Sequence, residues 1–347
     1  PYLDKEYQLP KNLKKIPISS ATQLSTELDK ANKAKGGVVF ILDDGIYKLK
    51  NTLVVRADNI AFVSKSEDPN KVIIQGGNDL NTARTGNLFR VSGKYFVLDG
   101  ITLQNTRNHA IQIAGEDDAD FPVIRNCILQ DSYEQLLKVS YNIKSKPEIS
   151  SDYGLVENCS FQYTAGIGPQ FYIGGVDAIA TNSWLIRNNK FKDIASPNKS
   201  MAQYAIHFWQ NTNNNMVENN LIEDCDRGIG FGMTNGENPQ NIAYSNLGGS
   251  IRNNTIIHTD NDDLFADTGI SIEDSALTLI ENNRIWLEHD YPRAIEYRYA
   301  STTGVIIRGN ITNKEITSRN GALAEVYDNI TDADLETVLA EYLFSRN

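Results

Sequence analysis

VIRNC (123–127), LVENC (155–159), LIRNN (185–189), MVENN (216–220), SIRNN (250–254) and LIENN (279–283) are one phrase written six times: a mostly apolar pair, a charged residue, Asn, then Asn or Cys. Variants flank it at VLDGI (97–101) and IIRGN (306–310), and the Asn-equivalent positions 100, 126, 158, 188, 219, 253, 282 and 309 are 26 to 34 residues apart. A fixed short phrase at a variable interval means one structural coil per repeat with loops of unequal length. The charged residue alternates in sign from Asp99 and Arg125 to Glu281 and Arg308. Coils about 4.8 Å apart would set like charges against each other, so the alternation fixes register.

A second phrase occurs once per coil: AIQI (110–113), LLKV (136–139), GVDA (175–178), AIHF (205–208), GIGF (228–231), GISI (269–272) and AIEY (294–297). Its period of two is that of a strand with alternate side chains inward. Several short strands per coil, joined by Asn- and Gly-rich turns, predict an all-β chain folded as a parallel β-helix solenoid. Helix bundles are excluded by the period. Asn126, Asn158, Asn188, Asn219, Asn253 and Asn282 are expected to stack as an amide ladder, with Cys127 and Cys159 buried beside it. Such a solenoid needs covers at both ends. Residues 19–36, with Ser20 three before Gln23 and a stop at Gly36 and Gly37, predict an N-terminal cap helix. Residues 331–345 predict a C-terminal one, so that 1–347 form one domain with coils over 37–330.

The 347 residues carry 33 Lys+Arg against 44 Asp+Glu, a net charge of −11. That balance argues against nucleic acid or an anionic membrane as partner, and any anionic ligand must meet a local basic patch. No apolar run approaches the roughly 20 residues a bilayer requires. Three cysteines without a Cys-x-x-Cys pair make neither a disulfide framework nor a zinc site. The chain starts at Pro1 without a leader pattern, so a mature secreted or periplasmic protein is the expectation, and a monomer.

With the cap helix and the opening GGVVFILDDGIYKL (36–49), the Asn-turn coils resemble the right-handed parallel β-helix carbohydrate-active superfamily, which includes pectate-lyase-like and alginate-lyase-like enzymes. The resemblance implies a cleft beside the small-residue strand that takes an anionic uronate polymer or oligosaccharide and cleaves it by β-elimination, with Ca²⁺ as cofactor in some members. The Asn-Thr-Asp, Asp-Asp, Gly-His-Gly and Arg-Ile-Lys signatures of the related polygalacturonase-like hydrolases have no comparable set here.

Alternation in the second phrase gives two outward columns. The small one, Ala110, Leu136, Gly175, Ala205, Gly228, Gly269 and Ala294, is expected to floor the groove. The other, Gln112, Lys138, Asp177, His207, Gly230, Ser271 and Glu296, sets an ammonium, a carboxylate and an imidazole on three consecutive coils, the groups that acid/base chemistry uses. Asp177 is expected to orient His207 or hold a cation. Lys138 or Arg227 would neutralise a uronate carboxylate, and His207 or a cleft tyrosine would take the C5 proton. Tyr163, Tyr172, Lys199, Tyr204, Trp209, Glu296 and Arg298 are expected to line the cleft and bind sugar. Being outward, Lys138 and His207 should contribute little to stability. The acidic runs 116–120 and 260–263 lack the spacing of a Ca²⁺ loop, and His109, His258 and His289 stand alone and read as structural. A glycoside hydrolase would need two carboxyls about 5 to 9.5 Å apart, and Asp177 and Glu296 are about 19 Å apart at four coil steps. A carbohydrate-binding or adhesin solenoid without catalysis is the third reading.

Overall fold

The computed structural model describes residues 7–233 and 243–344. One coil runs Leu185–Arg187, Lys190–Lys192, Ile206–Trp209, Thr212–Asn213, and the chain then returns as Met216–Glu218 beside Leu185–Arg187. Repeating this path builds parallel sheets of 12, 10, 10 and 5 strands, an all-β parallel β-helix. The first sheet carries the Asn phrase, the second carries the small-residue phrase, and the third joins them. Isoleucine and valine fill the middle position of the Asn phrase because a β-branched side chain suits a pleated strand. Ile124, Val156, Ile186, Val217, Ile251 and Ile280 therefore form one inward row without solvent exposure. Each such side chain contributes about 1.5–3 kcal/mol by leaving water.

The charged positions pair coil to coil as the sign alternation predicts. Arg187 meets Glu157 at 2.8 Å, Arg252 meets Glu218 at 2.7 Å, and Arg308 meets Glu281 at 2.8 Å. Arg125 lies between Asp99 and Glu157, at 3.5 and 3.8 Å. One residue earlier in the phrase, Val97, Val123, Leu155 and Leu185 point outward as an apolar strip, and Tyr7, Leu9 and Leu13 cover it.

The amide ladder exists, but one residue later than expected. Asn126, Asn158, Asn188, Asn219, Asn253 and Asn282 hold φ between 53° and 56° and make the turn itself. Asn tolerates this left-handed conformation where most residues do not. The turn swings the next side chain into the corner between the first and third sheets. There Asn189 donates its Nδ2 to Asn220 Oδ1, Asn220 to Asn254 and Asn254 to Asn283, each at 3.0 Å, and Asn283 donates to Asn310 at 2.9 Å. Each Oδ1 also accepts the backbone N–H of the preceding amide, and each Nδ2 also reaches a carbonyl one coil back, as in Asn254 to Val217. Every buried polar atom of the stack is thus satisfied. Cys159 continues it, its N–H donating to Asn189 Oδ1 at 2.8 Å, and Cys127 follows with its N–H on Cys159 Sγ.

Helix α1, Ala21–Lys33, is capped by Ser20, whose Oγ accepts the Gln23 N–H, and it buries Leu24, Leu28 and Ala31 against the core's N-terminal end. In helix α2, Leu335–Phe344, the described side chains lie along a flank. Its Val338 and Leu339 pack with Ile257, Trp286, Leu221 and Ile311, outward side chains of the third sheet. These side chains cover the apolar strip on that flank. Residue 345 of the expected helix lies outside the described residues.

Asn254→Ala deletes an acceptor for two buried donors of Asn220. At about 1–3 kcal/mol per orphaned group, we expect it to lower the urea midpoint far more than Asn253→Gly. That second change keeps the left-handed turn and should stay within about 0.5 kcal/mol.

Candidate active site on the second sheet

Strand pairing places Gln112, Lys138, Asp177, His207, Gly230, Ser271 and Glu296 in one register, coil upon coil. The column is as expected, but its surroundings are not. Lys138, Asp177, His207, Ser271 and Glu296 are all buried, so the row is roofed rather than open. The small column is not outward at all. Ala110, Leu136, Ala205 and Ala294 belong to the hydrophobic core. A Cβ on Gly175 would lie 2.2 Å from the Ala205 carbonyl and 2.7 Å from Phe191. The chain rounds a corner just before each of these strands, so two consecutive residues face inward and strict alternation fails there.

Lys138 Nζ contacts Asp177 Oδ2 at 2.5 Å, and Asp177 Oδ1 accepts the Trp209 indole N–H at 2.7 Å. Burial alone would raise the Asp177 carboxyl, but Lys138, His207 and the indole N–H hold it below its ordinary value. Asp177 is thereby committed to Lys138 and Trp209 and does not orient His207. The Gly232 carbonyl does that, 3.1 Å from His207 Nε2. A neutral ring with its proton on Nε2 follows, with Nδ1 bare and unpartnered among the described residues. Burial drives His207 down to about 4 against the opposing pull of Asp177.

Tyr204 forms the roof. Its ring sits 4.6 Å from the His207 ring and over Gly230, where a Cβ would come within 2.8 Å of it. Glycine is required at 230 because the ring occupies that space. Arg227 stacks on Tyr204 at 4.1 Å and donates its Nε–H to the Ala202 carbonyl at 3.0 Å. Trp209 is half-buried, parallel to His207 at 5.5 Å between ring centres. Tyr172 and Lys199 stand exposed on the flanking loops, Lys199 5.7 Å from the Phe171 ring. Tyr163 is interior packing, its hydroxyl donating to the Glu134 carbonyl at 2.9 Å.

Glu296 belongs to a second cluster. Its Oε2 accepts the Tyr291 hydroxyl at 2.6 Å and Arg319 Nη1 at 3.0 Å, while Arg298 lies 3.8 Å from Oε1 and 2.8 Å from Glu273. Arg293 lies 5.7 Å from the Tyr291 ring. Asp267 is raised by burial, lowered by Arg227 and raised again by Glu296, and its Oδ1 is unpartnered among the described residues. Burial and Glu296 hold Tyr291 firmly protonated. Asp267, Tyr291 and Arg319 were not apparent from alternation. The available signal was the corner: Asp226 and Asp267 each stand two residues ahead of the small residue, Gly228 and Gly269, and Arg227 one ahead.

The other expectations divide. His258 and His289 are not solitary, since their rings meet edge-on at 4.7 Å and His258 Nε2 is 3.1 Å from Asp263. His109 lies beside the column, with Nδ1 3.2 Å from the Gln135 carbonyl. The 116–120 carboxylates are taken by Arg90, Lys94 and Lys146. Among the described residues no three His, Cys, Asp or Glu side chains converge as a metal would require. No step of the chemistry proposed for the site is routed through a metal ion.

A coiled parallel architecture with a polar outer column defines the class. Residues 89–330 match the family model for a right handed beta helix region, and the chain belongs to that family. No curated protein matches it in sequence. Among solved structures, an alginate lyase from Paenibacillus sp. str. FPU-7 is 14% identical with a TM-score of 0.62, covering 92% of this chain and 99% of that one. A variant tailspike protein of E. coli bacteriophage HK620 in complex with a hexasaccharide is 14% identical with a TM-score of 0.55, covering 89% of this chain and 61% of that one. At these identities the likeness is one of fold.

Because the column is buried, Lys138 is not an inexpensive side chain to remove. Lys138→Met strands the Asp177 charge and should cost about 3–5 kcal/mol in chemical denaturation, most of it recovered in the Lys138→Met, Asp177→Leu double variant. A loss under about 1 kcal/mol in the single variant would show the pair to be solvated.

Burial also holds His109, His207 and His289 near 4, below the ordinary 6.5. The unfolded chain therefore takes up protons first, and the stability these groups contribute is present above about 6.5 and lost as pH falls toward 4. Denaturation midpoints should drop across that window, and His207→Gln should flatten the slope. An NMR titration of His207 centred near 6.5 would contradict this.

Proposed function

We propose that the chain is a carbohydrate-active enzyme that binds a uronic-acid polysaccharide along the outer face of the second sheet and cleaves it by β-elimination. The observation that carries this reading is the placing of Arg227, Asp267 and Tyr291 at the corners of three consecutive coils, ahead of Ile229–Phe231, Ile270–Glu273 and Arg293–Arg298. The corners are about 4.8 Å apart, within the reach of one sugar unit. The alginate lyase fold and the oligosaccharide-bound tailspike fold are consistent with a glycan on such a face.

Elimination needs three groups. Arg227 binds the uronate carboxylate through its terminal nitrogens, which are unbonded among the described residues, and makes the C5 proton acidic. Asp267, with its proton affinity raised by burial, takes that proton. Tyr291, held protonated, gives its proton to the departing O4, and Glu296 and Arg319 fix its hydroxyl. The C5–H and C4–O4 bonds break and a C4=C5 double bond forms. Lys138, Asp177 and His207 then support the site from beneath, holding Trp209 and Tyr204. Trp209, Tyr172, Lys199 and Arg298 contact neighbouring sugars.

A second reading has its own support. Asp267 and Glu296 are carboxyls on adjacent coils, one raised by burial and one bound by Arg319, which is the arrangement a glycoside hydrolase uses. It replaces the Asp177 and Glu296 pair, which is too widely spaced. Incubation with alginate, pectate and glycosaminoglycans separates the readings. Near-ultraviolet absorbance from the conjugated uronate supports elimination, new reducing ends without it support hydrolysis, and binding without either leaves an adhesin. Asp267→Asn and Tyr291→Phe should each lower turnover at least about 100-fold, the range of a positioned acid or base. Wild-type turnover in both would remove these roles.

A further inference from the structure

Asp226 is 1% exposed and contributes nothing to the cleft surface, yet its carboxylate is crowded with backbone donors. Oδ2 accepts the Ala202 N–H at 2.6 Å and the Ser196 N–H at 3.1 Å, and Oδ1 lies 3.2 Å from the same Ser196 nitrogen. One side chain therefore closes both ends of the 196–202 loop. Its own backbone is fixed between coils, its N–H on the Ile194 carbonyl at 3.1 Å and its carbonyl on the Asp267 N–H at 2.7 Å.

The next residue, Arg227, takes the Ala202 carbonyl through Nε. Both polar groups of the Ala202 backbone are thus held by consecutive side chains. Two residues further on comes Tyr204, which roofs His207 and carries the Arg227 guanidinium on its face. Asp263, bonded to His258, faces the same Asp226 carboxyl from the neighbouring coil.

We propose that Asp226 is the positioning residue of the cleft, buckling the 196–204 loop so that Tyr204 and Arg227 are presented to a glycan as one rigid unit. The carboxyl suits this task because a single oxygen, Oδ2, accepts both backbone N–H groups, while burial and the facing Asp263 raise the group to about 7. A leucine of similar size offers those donors no acceptor, whereas an asparagine can still place its one oxygen there. The loop between the two clasped residues, 197–201, includes exposed Lys199, at φ 70°, so release of the clasp frees the backbone around a tryptic site. The catalytic consequence rests on the cleft proposed above, whereas the buckle itself does not.

The test uses the full chain and two readouts. Asp226→Leu, which removes the acceptor without leaving a void, and Asp226→Ala are compared with wild type by limited trypsin digestion followed by mass spectrometry, and by kcat/KM on whichever uronate polymer the wild type cleaves. Cutting after Lys199 should accelerate at least about 10-fold with other sites unchanged. kcat/KM should fall about 10- to 100-fold, as expected when a binding group is displaced by about an ångström. Should the alanine variant not fold, the leucine variant carries the test. Unchanged cutting at Lys199 in a folded variant would overturn the proposal. Faster cutting beside a wild type that cleaves no polysaccharide would retain the buckle and reject the catalytic reading.

Discussion

Each coil has to lie squarely on the last, because a parallel strand finds hydrogen-bond partners only in its neighbours above and below. In this chain the left-handed Asn turn and the buried amide after it enforce that alignment. The turn at Asn188, Asn219, Asn253 and Asn282 aims Asn189, Asn220, Asn254 and Asn283 into one corner, where they satisfy one another. A coil rotated by one residue would leave an amide unpaired in an apolar interior. Register fixed at that corner is transmitted around the coil to the second sheet, which is why residues 39 and 30 positions apart, Lys138, Asp177 and His207, form a line.

That line would be costly in isolation. An ammonium, a carboxylate and an imidazole without water must answer each other's hydrogen bonds. Trp209 and the Gly232 carbonyl supply most of these partners, with His207 Nδ1 left over among the described residues, and the result is a bed under Tyr204. Arg227 then rests on an aromatic face rather than on a carboxylate, so its charge is turned outward in a chain whose net charge is −11. Local basic character therefore arises from packing and not from composition.

How much was legible follows from the same geometry. The coils, the sign alternation and the membership of the outer column could be read because strand period and repeat phrase are both properties of consecutive residues. The amide ladder stands one position later than the repeat suggests, because nothing in the Asn-Asn dipeptide says which Asn makes the turn and which is buried. The small column faces inward, since alternation does not describe a corner. Burial of the column, and the gathering of Asp267, Tyr291 and Arg319 around Glu296, depend on loops of 26 to 34-residue coils folding back over the sheet, and no local pattern encodes where such loops land.

The two ends of the solenoid are finished differently. Helix α1 seals one, whereas α2 lies along a flank, so that among the described residues the last coil keeps Leu323, Val326, Tyr327 and Ile330 in solvent and the strand Ala324–Tyr327 without a neighbour on its outer side. In a structure whose stability passes only from coil to coil, such inequality gives unfolding a direction. Fraying starts at the open end and travels inward one coil at a time, reaching Arg319, Glu296 and Asp267 before the sealed half with Lys138 and Asp177 loosens. The groups proposed for the chemistry of the cleft therefore sit in the part of the molecule that yields first.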